Sequence, residues 1–205
     1  MKIGVIGATG LVGSTLIDMI ICEKAIDYTE LLISASERSS GEKICKNGKE
    51  LKLIPIEEML KERPDIVFFM ADEDVAGKYA RQFTESGSVV IDNSSAFRLK
   101  EGVPLVVAGI NEHTIGGAML IANPNCSTIQ LCLSIYPLIK EGYTIKELFV
   151  ATYQSVSGAG KNGITQFIHE KEGKQSPVKA FPHFIFDNLI SIYYIIYLFV
   201  NSCMW

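Results

Sequence analysis

The chain has 205 residues, 48% apolar and 20% charged, with a net charge of −4 and basic residues scattered along its length. That length fits one large domain, or one domain and part of another, with enough apolar content for a packed core. The scattered basic residues argue against a nucleic-acid surface, and five cysteines, odd in number and without a CxxC pair, argue against a disulfide framework or a zinc site and for a reducing, cytoplasmic setting.

Residues 1–13 carry one positive charge and an apolar run broken by glycines, unlike the longer apolar run of a signal peptide. Residues 2–7 read as a buried strand. Val12, Leu16, Met19 and Ile20 then recur at i, i+4, i+7 and i+8, which predicts a helix burying that face. Residues 31–33 and 66–70 are further strands, the second behind Pro64-Asp65. Residues 74–86 predict a helix that ends at Gly87. Residues 89–91, 105–107 and 119–122 complete the strands of the first half. Strands alternating with helices imply parallel βαβ units, and so an α/β fold with a Rossmann-like, doubly wound parallel sheet over residues 1–124. A second region, 125–187, opens with a helix over 126–138, continues with a strand over 147–154, and then has a Gly-rich loop over 157–163; it reads as the start of an α+β domain. Residues 188–205 carry no charge, and eleven of the twelve residues 189–200 are apolar. A membrane helix needs about 20 such residues, so a truncated or frame-shifted end accounts for this tail better than a membrane anchor.

Gly7-Ala8-Thr9-Gly10-Leu11-Val12-Gly13 joins the first strand to the first helix. Glycines there allow a tight turn and let a pyrophosphate approach the backbone, while the helix start offers free N–H groups and a favourable dipole. Gly7, Thr9, Gly10, Leu11, Val12 and Gly13 are therefore candidate cofactor-binding residues; a tight packing turn is the plainer alternative. At the end of the second strand, Ser34-Ala35-Ser36-Glu37-Arg38-Ser39 lacks an acid at its first positions. Hydroxyls and a guanidinium at Ser36, Arg38 and Ser39 suit a 2′-phosphate, hence NADP, while Glu37 blurs that reading and a solvated turn is the plainer alternative.

Cys126 follows Asn123-Pro124-Asn125 and opens a helix. Thiolate is the reactive form of cysteine, and helix N-termini lower thiol pKa values, so an attacking cysteine belongs there. Cys22, Cys45 and Cys132 read as plain core. Asp92-Asn93-Ser94-Ser95-Ala96-Phe97-Arg98 follows a strand, where α/β sheets place ligand contacts, and Arg98 could grip a phosphate or carboxylate at two points. Taken alone, Arg98 reads as a surface ion pair. His113 and His169 read as solvated and His183 as structural; none has the spacing of a metal site.

Taken together, residues 7–13, 92–98, Asn123-Pro124-Asn125-Cys126-Ser127-Thr128 and Thr152-Tyr153-Gln154-Ser155-Val156-Ser157-Gly158-Ala159-Gly160 resemble the aspartate-semialdehyde dehydrogenase family, in its order and over the chain to about Phe184. The sister N-acetyl-γ-glutamyl-phosphate reductases share the glycine loop, but Asn125 and Ser127-Thr128 favour the aspartate family. The resemblance implies NADPH-dependent reduction of aspartyl-β-phosphate to aspartate β-semialdehyde, a step toward lysine, threonine and methionine. It implies Cys126 as nucleophile through a thioester, Gln154 orienting the acyl group, and Arg98 and Asn125 holding the leaving phosphate. Asn93, Ser157 and Gly158 would lie along the cofactor. It also implies a homodimer or higher assembly through the second domain.

Several positions depart from the family pattern. Asp72-Glu73-Asp74 replaces a hydroxyl-rich stretch near the cofactor, Ala108-Gly109 replaces Pro-Glu, and Ser191-Ile192 stands where Pro-His is expected. The family's acid/base histidine and carboxylate-binding arginine lie further along than anything present, so turnover by this chain is not expected. A nucleotide-binding protein without turnover is the competing reading.

Overall fold

In a computed structural model, residues 1–35, 41–152 and 154–186 are described. They fall into two compact units, Met1–Tyr136 and Pro137–Trp205.

The first unit is built on five parallel strands, β1 (Lys2–Ile6), β2 (Glu30–Ser34), β5 (Ile66–Phe69), β6 (Val89–Asp92) and β7 (Leu120–Ala122), in the order β2-β1-β5-β6-β7. The alternation along β1 explains why both faces need cover. Ile3 and Val5 pack with Ile17, Ile20 and Ile33 on one side; Ile6 packs with Val67, Phe69, Val90 and Phe83 on the other. Helix α1 (Leu11–Cys22) covers the first face, and α2 (Ile56–Glu62) and α3 (Glu73–Glu85) contribute to the second. This is the Rossmann-like, doubly wound sheet that the sequence predicts. Phe69 and Phe83 meet edge to face at 5.8 Å, both fully buried, and burying each ring stabilises the fold by about 1.5–3 kcal/mol.

The buried face of α1 differs by one residue from the predicted one. Gly13, Ile17, Ile20 and Ile21 are buried, while Val12 and Met19 are exposed. The helix is apolar almost all round, so periodicity alone fits either register, and the close approach of Gly13 to the first turn decides between them. The predicted strand at 105–107 reduces to one parallel bridge, Leu105 to Ala122. Pro104 has no N–H to donate, and a turn starts after Val107.

Residues 41–55 hold an element the patterning does not reveal, the antiparallel hairpin β3 (Lys43–Lys46) and β4 (Lys49–Lys52). Its turn, Asn47-Gly48, has φ of 48° and 75°, the positive values that a two-residue hairpin turn requires and that Asn and Gly tolerate. Lys46 crosses from β3 to α1, donating to Asp18 Oδ2 at 2.7 Å and Ser14 Oγ at 2.8 Å.

Helix α4 (Cys126–Lys140) begins in the first unit. In the second unit, 147–152 and 154 form no strand, and Phe149 is 91% exposed. A strand needs a neighbouring ladder for its peptide groups, and none runs beside this segment among the described residues. Residues 157–163 are not a loop. Ser155 caps a 3-10 turn at Val156–Ala159, which leads into α5 (Gly160–Lys171). Gly163 is needed for packing, since a Cβ there would sit 2.7 Å from the Val156 carbonyl oxygen. Gln166 and Glu170 of α5 fasten the following segment: Gln166 accepts from Phe181 N–H at 2.9 Å and donates to the His183 carbonyl at 3.2 Å, while Glu170 Oε2 accepts from Ile185 and Phe186 N–H at 2.7 and 2.9 Å. Burial pushes the Glu170 carboxyl up, but the bonds it accepts from Gln166, Ile185 and Phe186 together outweigh that and hold it below its ordinary range.

Among the described residues, no helix is long and apolar enough to cross a membrane, and no group of three or more His, Cys, Asp or Glu could hold a metal. The apolar tail lies outside the described residues.

Candidate functional site

Every parallel strand directs its carboxyl end, and the loop after it, to the same edge of the sheet. The strand order reverses between β1 and β5, and the crevice there is where such sheets bind ligands. The glycine loop follows β1 into this crevice. Gly7 has φ +87°, and a Cβ on it would lie 2.3 Å from the Met70 carbonyl oxygen at the end of β5. A Cβ on Gly13 would lie 2.2 Å from the Gly7 carbonyl oxygen. Both positions therefore exclude any side chain. Gly10 caps α1 without a side-chain acceptor, its N–H closing a turn onto Gly7 at 3.0 Å. Thr9 sits between these glycines, half-buried, and Leu11 and Val12 are exposed at the first turn. A loop of backbone closely wrapped around a helix start is what a pyrophosphate requires. Ser36, Arg38 and Ser39 lie outside the described residues.

Two further loops leave neighbouring strands. β6 and β7 are in register with Asp92 beside Ala122, so Asn93 and Asn123 emerge side by side. Asn123 N–H donates to the Asp92 carbonyl at 2.7 Å, and Asn123 Nδ2 donates to Asn93 Oδ1 at 2.7 Å. Arg98 straps both loops: its Nε donates to the Asn123 carbonyl and one terminal nitrogen to the Asn93 carbonyl, each at 3.0 Å. Arg98 is thus not a surface ion pair. It is half-buried and bonded to backbone. A guanidinium has five N–H donors, and two are used here. Its other terminal nitrogen has no partner among the described residues, so that side remains for an anion.

Below this strap Asp92 is fully buried, accepting from Ser94 N–H at 3.1 Å and Ser94 Oγ at 2.8 Å. Burial pushes its carboxyl up from the ordinary range; the Ser94 bonds and the charge of Arg98 oppose that shift. Glu73, at the start of α3, accepts from Ser95 Oγ. The acidic stretch 72–74 therefore leaves the α1 start as the better anion site in the crevice.

Three residues past Asn123, Cys126 begins α4 and is exposed. Asn125 Oδ1 accepts from Ser127 N–H at 3.0 Å, capping the helix, and lies 3.9 Å from Cys126 Sγ. Arg98, Asn93 and Asn123 are therefore bonded together across two adjacent strand ends, and Asn125 and Cys126 follow Asn123 two and three residues on. Cys132, one and a half turns on, is partly buried, and burial pushes its thiol up. Cys22 and Cys45 are exposed, contrary to the core reading. Cys22 is the last residue of α1, past its buried face, and Cys45 alternates with the inward-facing Ile44 and Lys46.

Gln154, Ser157 and Gly158 belong to the second unit. Gln154 is exposed, its Nε2 donating weakly to Thr152 Oγ1 at 3.4 Å, and Ser157 bonds Ser155 at the 3-10 turn. His113 is exposed, His169 meets the Thr165 carbonyl at 2.8 Å, and His183 takes part through its backbone. Sequence reasoning names Asn123 only as part of the cysteine motif and gives it no role of its own. Its signal is faint: a polar residue one position past a strand, whose partner appears only once the β6–β7 register is known.

The family model described as semialdehyde dehydrogenase, NAD binding domain matches residues 2–118, and the semialdehyde dehydrogenase dimerisation domain matches 135–194. The chain is 38% identical over 193 residues to an aspartate-semialdehyde dehydrogenase of Shewanella violacea, covering 91% of this chain and 56% of that relative. The crystal structure of aspartate semialdehyde dehydrogenase II of Vibrio cholerae complexed with ASA superposes with a TM-score of 0.79 at 36% identity, covering 91% of this chain and 57% of that one. The aspartate semialdehyde dehydrogenase of Candida albicans, solved with NADP, has a TM-score of 0.53 at 28% identity, covering 68% and 47%. The chain spans about half the length of the curated relatives it matches.

Proposed function

The chain belongs to the semialdehyde dehydrogenase family, and from that premise we propose that it carries the nucleotide-binding part and the nucleophile of an NADP-dependent, phosphorylating aspartate-semialdehyde dehydrogenase. The observation that carries this reading is Cys126 at the start of α4, next to the capping Asn125 and the Arg98 strap. The Cys126 thiolate attacks the acyl carbon of aspartyl-β-phosphate, the acyl–oxygen bond breaks, and phosphate leaves a thioester behind. Arg98, through its unused N–H groups, and Asn125 hold the departing phosphate. Gln154 orients the acyl oxygen. NADPH, when bound, supplies the hydride that releases the aldehyde and returns the thiolate. The glycine turn fits such a cofactor because side chains are barred at Gly7 and Gly13. Asn93, Ser157 and Gly158 would contact it, and Ser36, Arg38 and Ser39 would receive its 2′-phosphate.

In the same reading, residues 1–124 form the nucleotide domain and 125–187 part of a catalytic and dimerisation domain. The protein works in the cytoplasm as a homodimer or higher assembly, in a biosynthetic route to lysine, threonine and methionine.

Iodoacetamide labelling at neutral pH with peptide mapping tests the central assignment. Exposure does not separate Cys126 from Cys22 and Cys45, so position at the helix start must do so. Cys126 should label first and Cys132 last. Faster labelling of Cys22 or Cys45 in the folded protein removes the nucleophile's physical basis.

A further inference from the structure

We infer that Asn123 is a positioning residue that fixes which face of the Asn93 amide is offered to the nucleotide, and so joins the cofactor loop to the nucleophile loop. The inference rests on the reading above, in which Asn93 lines the cofactor and Cys126 attacks. Asn123 Nδ2 donates to Asn93 Oδ1 at 2.7 Å. An amide has one oxygen and one NH₂ group at its end, so engaging the Asn93 oxygen leaves the Asn93 NH₂ as its free end.

The backbone on both sides is fixed. Asn93 N–H donates to the Phe69 carbonyl at 3.0 Å, and the Asn93 carbonyl receives Arg98. Asn123 N–H donates to Asp92, and the Asn123 carbonyl receives Arg98 Nε. With both main chains held, the relative setting of the two side chains is the remaining freedom, and the Asn123–Asn93 bond removes it. A free NH₂ presents two donors, which match the carbonyl or phosphate oxygens of a dinucleotide. A free Oδ1 in its place would meet those oxygens as a like-charged dipole. Asn123 is also three residues before Cys126 on the same short connection.

Asn123→Asp tests this most directly. A carboxylate has only acceptors, so Asn93 must turn its NH₂ toward residue 123 and its oxygen toward the crevice. NADPH binding by the full chain should weaken about three- to tenfold, the effect of one hydrogen bond. The Asn93→Ala background separates positioning from plain structure. There, Asn123→Ala should cause no further loss of NADPH affinity, because the group it acts through is gone. Protection of Cys126 from iodoacetamide by NADPH should fall in parallel in the single variants. If Asn123→Ala costs the same affinity with and without Asn93, the inference is overturned while the cofactor reading stands. If Asn93→Ala leaves NADPH binding unchanged, the cofactor reading of Asn93 fails, and the inference with it. Circular dichroism melting of each variant identifies any that lost affinity by unfolding; for such a variant Asn123→Ser, which keeps a shorter donor, replaces it and faces the same two outcomes.

Discussion

Gly13 shows how much a single hydrogen can decide. A Cβ there would lie 2.2 Å from the Gly7 carbonyl oxygen, backbone that cannot swing aside. Gly13→Ala should therefore push α1 off the turn, costing about 1–3 kcal/mol of stability and abolishing nucleotide binding. Thermal melting and NADPH titration check it; unchanged affinity would mean that the loop does not cradle the cofactor. Asp92 is the second case. Burial raises its folded pKa above the ordinary 3.8, so the folded state holds this proton more tightly than the unfolded state. Its contribution is then fully present below 3.8 and is lost as pH rises from there through the raised value. Asp92→Asn, which keeps an acceptor for Ser94 N–H, should remove that loss. Urea midpoints across mildly acid to neutral pH should fall with rising pH more in the wild type than in the variant, and parallel curves would contradict the assignment. The glycines and Cys126 are legible in the sequence because their chemistry is local, set by neighbours one to four residues away. The Asn93–Asn123–Arg98 strap is not, since it depends on which strand lies beside which.

At the level of elements, the hairpin β3–β4 was within reach: Asn47-Gly48 between two short runs is the strongest local hairpin signal, but the runs are lysine-rich and lack an apolar alternation to draw attention. Its attachment to α1 depends on Lys46, whose ammonium is held by Asp18 and Ser14 in a partly buried place. Lys46→Ala should cost about 0.5–1.5 kcal/mol. Lys43→Ala, which breaks only the exposed pair with Glu50, should cost close to nothing. Chemical denaturation of the two variants compares them directly, and equal losses would show that the lysine anchor does not fasten the hairpin. The sequence also overstates two strands. Residues 105–107 and 147–154 have suitable side chains, but a strand is defined by its partner, and partners are not written in the run itself.

For the molecule as a whole, the parallel sheet and its two covered faces follow from the alternation of short apolar runs with helices, which is why the architecture was readable before its details. The first unit holds the complete glycine turn, so NADPH at a hundredfold excess over its dissociation constant should stabilise the chain by about 2.7 kcal/mol, a rise in melting temperature of roughly 5–11 °C. No shift would count against a formed nucleotide site. Turnover is a different matter. None of His113, His169 and His183 bonds Cys126, Asn125 or Arg98 among the described residues, and the lack of a positioned acid/base costs about 10²–10⁴ in rate. Phosphate-dependent reduction of NADP⁺ with aspartate semialdehyde should therefore be undetectable in the 205-residue chain; turnover that disappears in Cys126→Ala would reverse that expectation.

The short outermost strand β7 gives the two halves of the site unequal lifetimes. Gly7 hangs from β1, which is flanked by β2 and β5, whereas Asn123 hangs from three residues paired to β6 and closed on the other side by a single bridge. Local opening in proteins begins at such margins and can leave the interior intact. Melting of β7 would release the Asn123 anchor and let the start of α4 drift while the nucleotide turn stays folded. Amide exchange should accordingly run faster at 120–126 than at 2–10, and an oxidant or electrophile could silence the thiol in molecules that still hold their dinucleotide.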